Sequence, residues 1–144
     1  MLAGADLLRE DFGVEADVWS VTSYTELRKD GMEAERFNRL HPGGGEAKAA
    51  FVEESLGEQP VVAASDYIRS LPDQIRPWVK APFTVLGTDG FGRSDYRKAL
   101  RRFFEVDRYH VVVAALHALG RHDDAAKAIE QYGIDPEAEA PWRT

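Results

Sequence analysis

An α/β fold, with a mostly parallel sheet between two helical layers (α/β/α), is what the sequence predicts, and three observations carry it. Short apolar runs rich in β-branched residues recur at ADVWSVT (16–22), VVAAS (61–65) and FTVLG (83–87), each bounded by turn residues. Segments of ten or more residues with helical spacing lie between and after these runs, and connections of that length imply crossovers between parallel strands. The 144 residues, 44% apolar and 30% charged, have the length of one domain (1–144) and can bury a core without disulfides or metals. Three readable strands make a narrow sheet for two helical layers.

The chain opens on a helix, with Leu2, Ala5 and Leu8 on one face and Gly13 as its stop. Most α/β domains begin with a strand; this one begins with the helix expected after it. The strand at 16–22 follows, with Trp19 expected in the core. Ser23 and Glu26 form an S-x-x-E capping box, which predicts a helix from about Tyr24 to Leu40, weakened in the middle by Gly31 and ended by Pro42. The triplet Gly43 to Gly45 is a loop, and a short helix is expected from about Ala47 to Leu56. Pro72 and Pro77 divide residues 66–79 into two short helical pieces after the second strand. From Asp95, the spacing of Tyr96, Ala99, Leu100 and Phe103 marks an amphipathic helix, with Arg93, Arg97, Lys98, Arg101 and Arg102 as one basic neighbourhood. The run of valines after Tyr109 suits a strand by propensity, but its continuation AALHAL and the cap offered by Asp107 favour a helix. A last helix, Asp123 to Tyr132, stops at Gly133 and leaves a polar tail with one anchor candidate, Trp142.

Composition excludes several function classes. The net charge of −7, from 25 acidic and 18 basic residues, repels phosphate backbones and anionic membranes, so neither nucleic acid nor membrane is an expected partner. The longest apolar run, Val111 to Leu116, falls far short of the roughly 20 residues of a membrane span. No secretory signal is evident at the N-terminus, and the absence of cysteine suits a reducing compartment; a cytoplasmic protein is expected.

The stretch VLGTDGFGRSD (85–95) looks at first like a phosphate cradle. Its glycines at 87, 90 and 92 are spaced GxxGxG, however, and not GxGxxG, and Asp89 and Asp95 oppose an anion. A shaped structural or interface loop is the better account, with Asp89, Gly90, Phe91, Gly92, Arg93, Ser94 and Asp95 as contact candidates. Trp78, set beside two prolines, is a candidate interface anchor. His110 and His117 are seven residues apart and no third ligand accompanies them, so a metal site is not expected. Ser65 and Ser94 lack a GxSxG context, and adjacent carboxylates such as Glu53 and Glu54 diverge on a helix.

The strings ADVWSVTSYTELRKDG, RFNRLHP, ASDYIRS, DQIRPWV, VLGTDGFGRSDYRKALRRFFEVD and QYGIDPEAEAPW, in that order, closely resemble the C-terminal domain of the homodimeric bacterial pyruvate dehydrogenases, the decarboxylating component. The resemblance implies a transketolase-like C-terminal domain with a mixed five-stranded sheet, of which this chain, as an excised piece of a larger one, is expected to lack up to two strands at its N-terminus. It implies that thiamine diphosphate, magnesium and the catalytic residues belong to the preceding domains of the intact enzyme. No catalytic, cofactor-binding or metal-ligating residue is therefore expected in this chain. The implied partners are the rest of the same dehydrogenase chain, its dimer mate and, indirectly, the lipoyl acyltransferase component; a sheet edge left bare also invites self-association. The competing expectation is a small-molecule or anion-binding module using the strand-end loops around Ser65 and Gly87 to Ser94.

Overall fold

The computed structural model describes residues 1–143. Helix α1 (Leu2–Phe12) ends at Gly13, which takes the left-handed conformation (φ 65°), and the Val14 amide closes the last turn on the Leu8 carbonyl at 3.1 Å. Helix α2 (Tyr24–Leu40) starts as its capping signal predicts: Ser23 Oγ accepts from the Glu26 amide at 3.2 Å. Only half of the box forms, because the Glu26 carboxylate accepts from Lys29 Nζ at 2.7 Å instead.

Two strands, β1 (Val61–Ala64) and β2 (Phe83–Leu86), pair in parallel, with Val61 opposite Phe83 and Ala64 opposite Leu86. The crossover between them carries the short helix α4 (Ser70–Asp73) and a 3₁₀ turn at Arg76–Trp78, the two pieces expected around Pro72 and Pro77. Helix α3 (Phe51–Leu56) precedes β1, and α5 (Arg97–Phe103), α6 (Arg108–Ala118) and α7 (His122–Gln131) follow β2.

The core has two parts. Ala63, Phe83 and Val85 turn one sheet face to Val52 and Ile75, over which Tyr24, Leu27 and Trp78 close. Alternation turns Val62, Ala64, Thr84 and Leu86 the other way, towards α6, which contacts both strands. The second cluster joins Leu8, Val112, Leu116, Ala125 and Ala128 of α1, α6 and α7. The valine run is thus helical, as its continuation and cap indicate: Asp107 accepts from the amides of Tyr109 and His110, both at 3.0 Å.

Three expectations are corrected. Residues 16–22 are not a strand, so the sheet has two strands and not three. The local pattern is right, but a strand needs a neighbour, and here none pairs with it; Val18, Trp19 and Val21 are 40%, 59% and 40% exposed. Trp19 is accordingly not core. The third helix starts at Phe51 and not near Ala47, because Asn38 binds both backbone groups of Lys48 (2.9 Å each) and holds the chain extended there. The Phe51 amide then docks on Asp30 at 2.7 Å.

Candidate functional site: a cleft at the carboxyl ends of the strands

The segments leaving β1 and β2 run side by side and are cross-tied. Thr88 donates its amide to the Tyr67 carbonyl (2.9 Å) and its hydroxyl to the Asp66 carbonyl (3.1 Å). Gly87 has no room for a side chain, since a Cβ there would lie 2.7 Å from the Tyr67 carbonyl oxygen. Asp89 accepts from the Arg69 amide at 3.1 Å and pairs with its guanidinium, Nε lying 3.2 Å away but out of line for a hydrogen bond. Gly90, at φ 108°, lies under the C-terminal tail: a Cβ there would meet the Pro141 carbonyl oxygen at 2.5 Å. The Arg69 guanidinium stacks 4.3 Å over Trp142 on the same side. The tail anchor foreseen at Trp142 therefore rests on the glycine loop.

A cleft of about 530 Å³ opens against this loop. Thr88, Gly90, Phe91, Gly92, Arg93 and Asp95 form one wall; Leu100, Phe104 and Val106 give an apolar floor, and Asp66, Arg97 and Arg101 close it. Arg101 grips Asp66 with two hydrogen bonds, Nε to Oδ1 at 3.2 Å and Nη2 to Oδ2 at 2.7 Å. Those bonds hold the Asp66 carboxyl below the usual carboxylate range, against a smaller opposing effect of burial. Arg93 stacks its guanidinium 4.3 Å over Phe103.

The basic neighbourhood is therefore divided. Arg93, Arg97 and Arg101 face the cleft, whereas Arg102 reaches the far side, binding the carbonyls of Tyr132 (3.2 Å) and Gly133 (2.6 Å) and the Asp107 carboxylate (3.5 Å). Burial alone would raise the Asp107 carboxyl, but hydrogen bonds from the His110 ring and amide, with the charge of Arg102, bring it below its ordinary value. This cluster joins α5, α6 and the end of α7.

Of the residues singled out in the sequence, Gly90, Phe91, Gly92, Arg93 and Asp95 line the cleft; Asp89 faces Arg69, and Ser94 is exposed outside the wall. Ser65 also lies outside it and accepts from the Tyr67 amide at 3.0 Å. Trp78 does not line the cleft; it is half-buried against Gly31, its Nε1 donating to Glu35 at 3.0 Å. Arg69 escaped sequence reasoning: its partner is 20 residues away and no local spacing marks it.

The cleft does not fit a magnesium diphosphate. Asp66 is engaged by Arg101, Asp89 by Arg69, and Asp95 accepts from the Tyr96 amide at 2.8 Å. Among the described residues no group of three His, Asp or Glu side chains is arranged to hold a metal, and no helix is long and apolar enough to cross a membrane.

The parallel strands, flanking helices and strand-end loop are those of an α/β domain of transketolase type: over residues 1–107 the chain matches the Transketolase-like TK C-terminal domain, and it belongs to that family. Among full-length proteins, it is 57% identical over 95% of its length to the pyruvate dehydrogenase E1 component of Pseudomonas aeruginosa. The corresponding proteins of Cupriavidus necator and Escherichia coli K12 are 50% identical over 98% and 43% identical over 95% of the chain. In each case the chain spans 16% of the relative's length, its C-terminal part. The resemblance noted in the sequence is thereby established. Helices α6 and α7 and the tail lie outside residues 1–107, yet the alignments with these relatives extend over nearly the whole chain.

Proposed function

We propose that this chain serves as the C-terminal, non-catalytic structural and interface domain of a pyruvate dehydrogenase, an enzyme that decarboxylates pyruvate on thiamine diphosphate and passes the acetyl group to a lipoyl carrier. One observation carries the reading: near-full coverage of the chain by the C-terminal part of proteins named pyruvate dehydrogenase E1 component. In this reading cofactor and magnesium bind to preceding domains, and the chain's partners are those domains, the dimer mate and, indirectly, the lipoyl acyltransferase, in the cytoplasm. The loop residues Asp89 to Asp95 and Trp78 are its proposed contact positions.

The chain alone is expected to give no pyruvate-dependent reduction of ferricyanide with thiamine diphosphate and magnesium present; turnover above that of a host-enzyme control would refute the non-catalytic role. Replacing the matching segment of the P. aeruginosa relative with this chain is expected to preserve that relative's turnover. A stable but inactive chimera would count against the chain's being an equivalent domain.

A further inference from the structure

Among the described residues, two guanidinium groups of the cleft have no carboxylate bound to them. Arg93 lies over Phe103, which fixes its plane without neutralising its charge. Arg97 makes no hydrogen bond or ion pair among the described residues, and its charge acts at longer range to lower the Asp66 carboxyl. The nearby carboxylates are already engaged: Asp66 by both donors of Arg101, Asp95 by the Tyr96 amide, and Asp89 by Arg69 outside the wall. The objection that the loop's aspartates oppose an anion therefore loses one of its two residues, and three arginines face two aspartates across the cleft. On a chain of net charge −7 this is a local exception. Leu100, Phe104 and Val106 supply an apolar floor, and Phe91, 84% exposed, stands at the rim.

We propose that the cleft binds a small organic anion, its phosphate or carboxylate head received by Arg93 and Arg97 and its aromatic or alkyl body laid on Leu100, Phe104 and Phe91. The volume of about 530 Å³ lies within the roughly 300–1,000 Å³ of small-molecule sites. Forked guanidinium donors suit the planar or tetrahedral oxygens of such a head, and a site exposed to solvent on this scale loses affinity as salt rises. The proposal concerns the chain by itself, in which Phe91 and Arg93 are exposed, whichever enzyme the domain belongs to.

Isothermal titration of the 144-residue chain with phenyl phosphate, inorganic phosphate and phenol tests it. Phenyl phosphate is expected to bind saturably at one site, more tightly than either half-probe, and more weakly at high salt. Arg97→Gln is expected to weaken it about tenfold, Arg93→Gln similarly, and Lys98→Gln, outside the wall, not at all. Should Arg93→Gln loosen the helix beneath it, the Arg97→Gln and salt results decide, since Arg97 is exposed and bonded to none of the described residues. Absence of saturable binding, or binding indifferent to Arg97→Gln, overturns the proposal. A glutamate-rich peptide that outcompetes phenyl phosphate at the same residues also overturns it, in favour of an acidic protein segment.

Discussion

Gly31 shows how far one residue's meaning can lie from its neighbours. Within the sequence it is a weak point in a helix, worth about 1 kcal/mol less than alanine. In the fold it is the notch that admits the Trp78 indole, for a Cβ built at Gly31 would lie far inside van der Waals contact of the indole carbons. Gly31→Ala is therefore expected to destabilise by about 1–3 kcal/mol in urea denaturation despite its better propensity, and Trp78→Leu in the same chain to recover part of the loss. A stabilised Gly31→Ala would show that the indole is elsewhere. Asp107 makes the opposite case, since its role as a cap was legible. Its carboxyl is held below its unfolded value, by His110 and Arg102 against the cost of burial, so its contribution is complete above the ordinary carboxylate range. That contribution is lost as pH falls through the lowered, folded value. Asp107→Ala is expected to cost about 2 kcal/mol at pH 7, and the gap from wild type to narrow below about pH 4; a gap constant with pH would sink the ionic part of this account.

Elements that rest on local chemistry were the ones legible in the sequence. The Ser23 and Asp107 caps, the Gly13 stop and the division at Pro72 and Pro77 involve groups within a turn or two of each other, and the structure keeps them. Residues 16–22 failed because pairing is settled by a distant neighbour, which no alternation pattern within the segment can supply. The same distinction explains the cleft: its loop was recognised as unusual, but Arg69, Asp66 and the Pro141 carbonyl, which shape it, come from other parts of the chain. Gly90→Ala is expected to lift the tail, because the added Cβ meets the Pro141 oxygen at 2.5 Å and because alanine is strained at φ 108°. Limited proteolysis should then cut after residue 134 faster than in wild type, with α6 and α7 still protected; unchanged cutting would mean that the tail does not rest on this glycine.

The molecule as a whole is an α/β domain with helices on both faces of only two strands. The alternation of apolar runs with helical segments made the class legible, while the strand count was beyond local pattern. A parallel pair with no third strand among the described residues, together with the exposed Val18, Trp19 and Val21, offers backbone and apolar surface to a second copy. The chain alone is expected to associate as its concentration rises, by light scattering after size exclusion, and Trp19→Lys to reduce this. One mass at every concentration would argue against such pairing. The contact of the Pro141 carbonyl with Gly90 has a practical side: Pro141 and Trp142 are tied to the cleft's wall, so a fluorophore attached beside them becomes a reporter of cleft occupancy, and a bulky group there a disturbance of it.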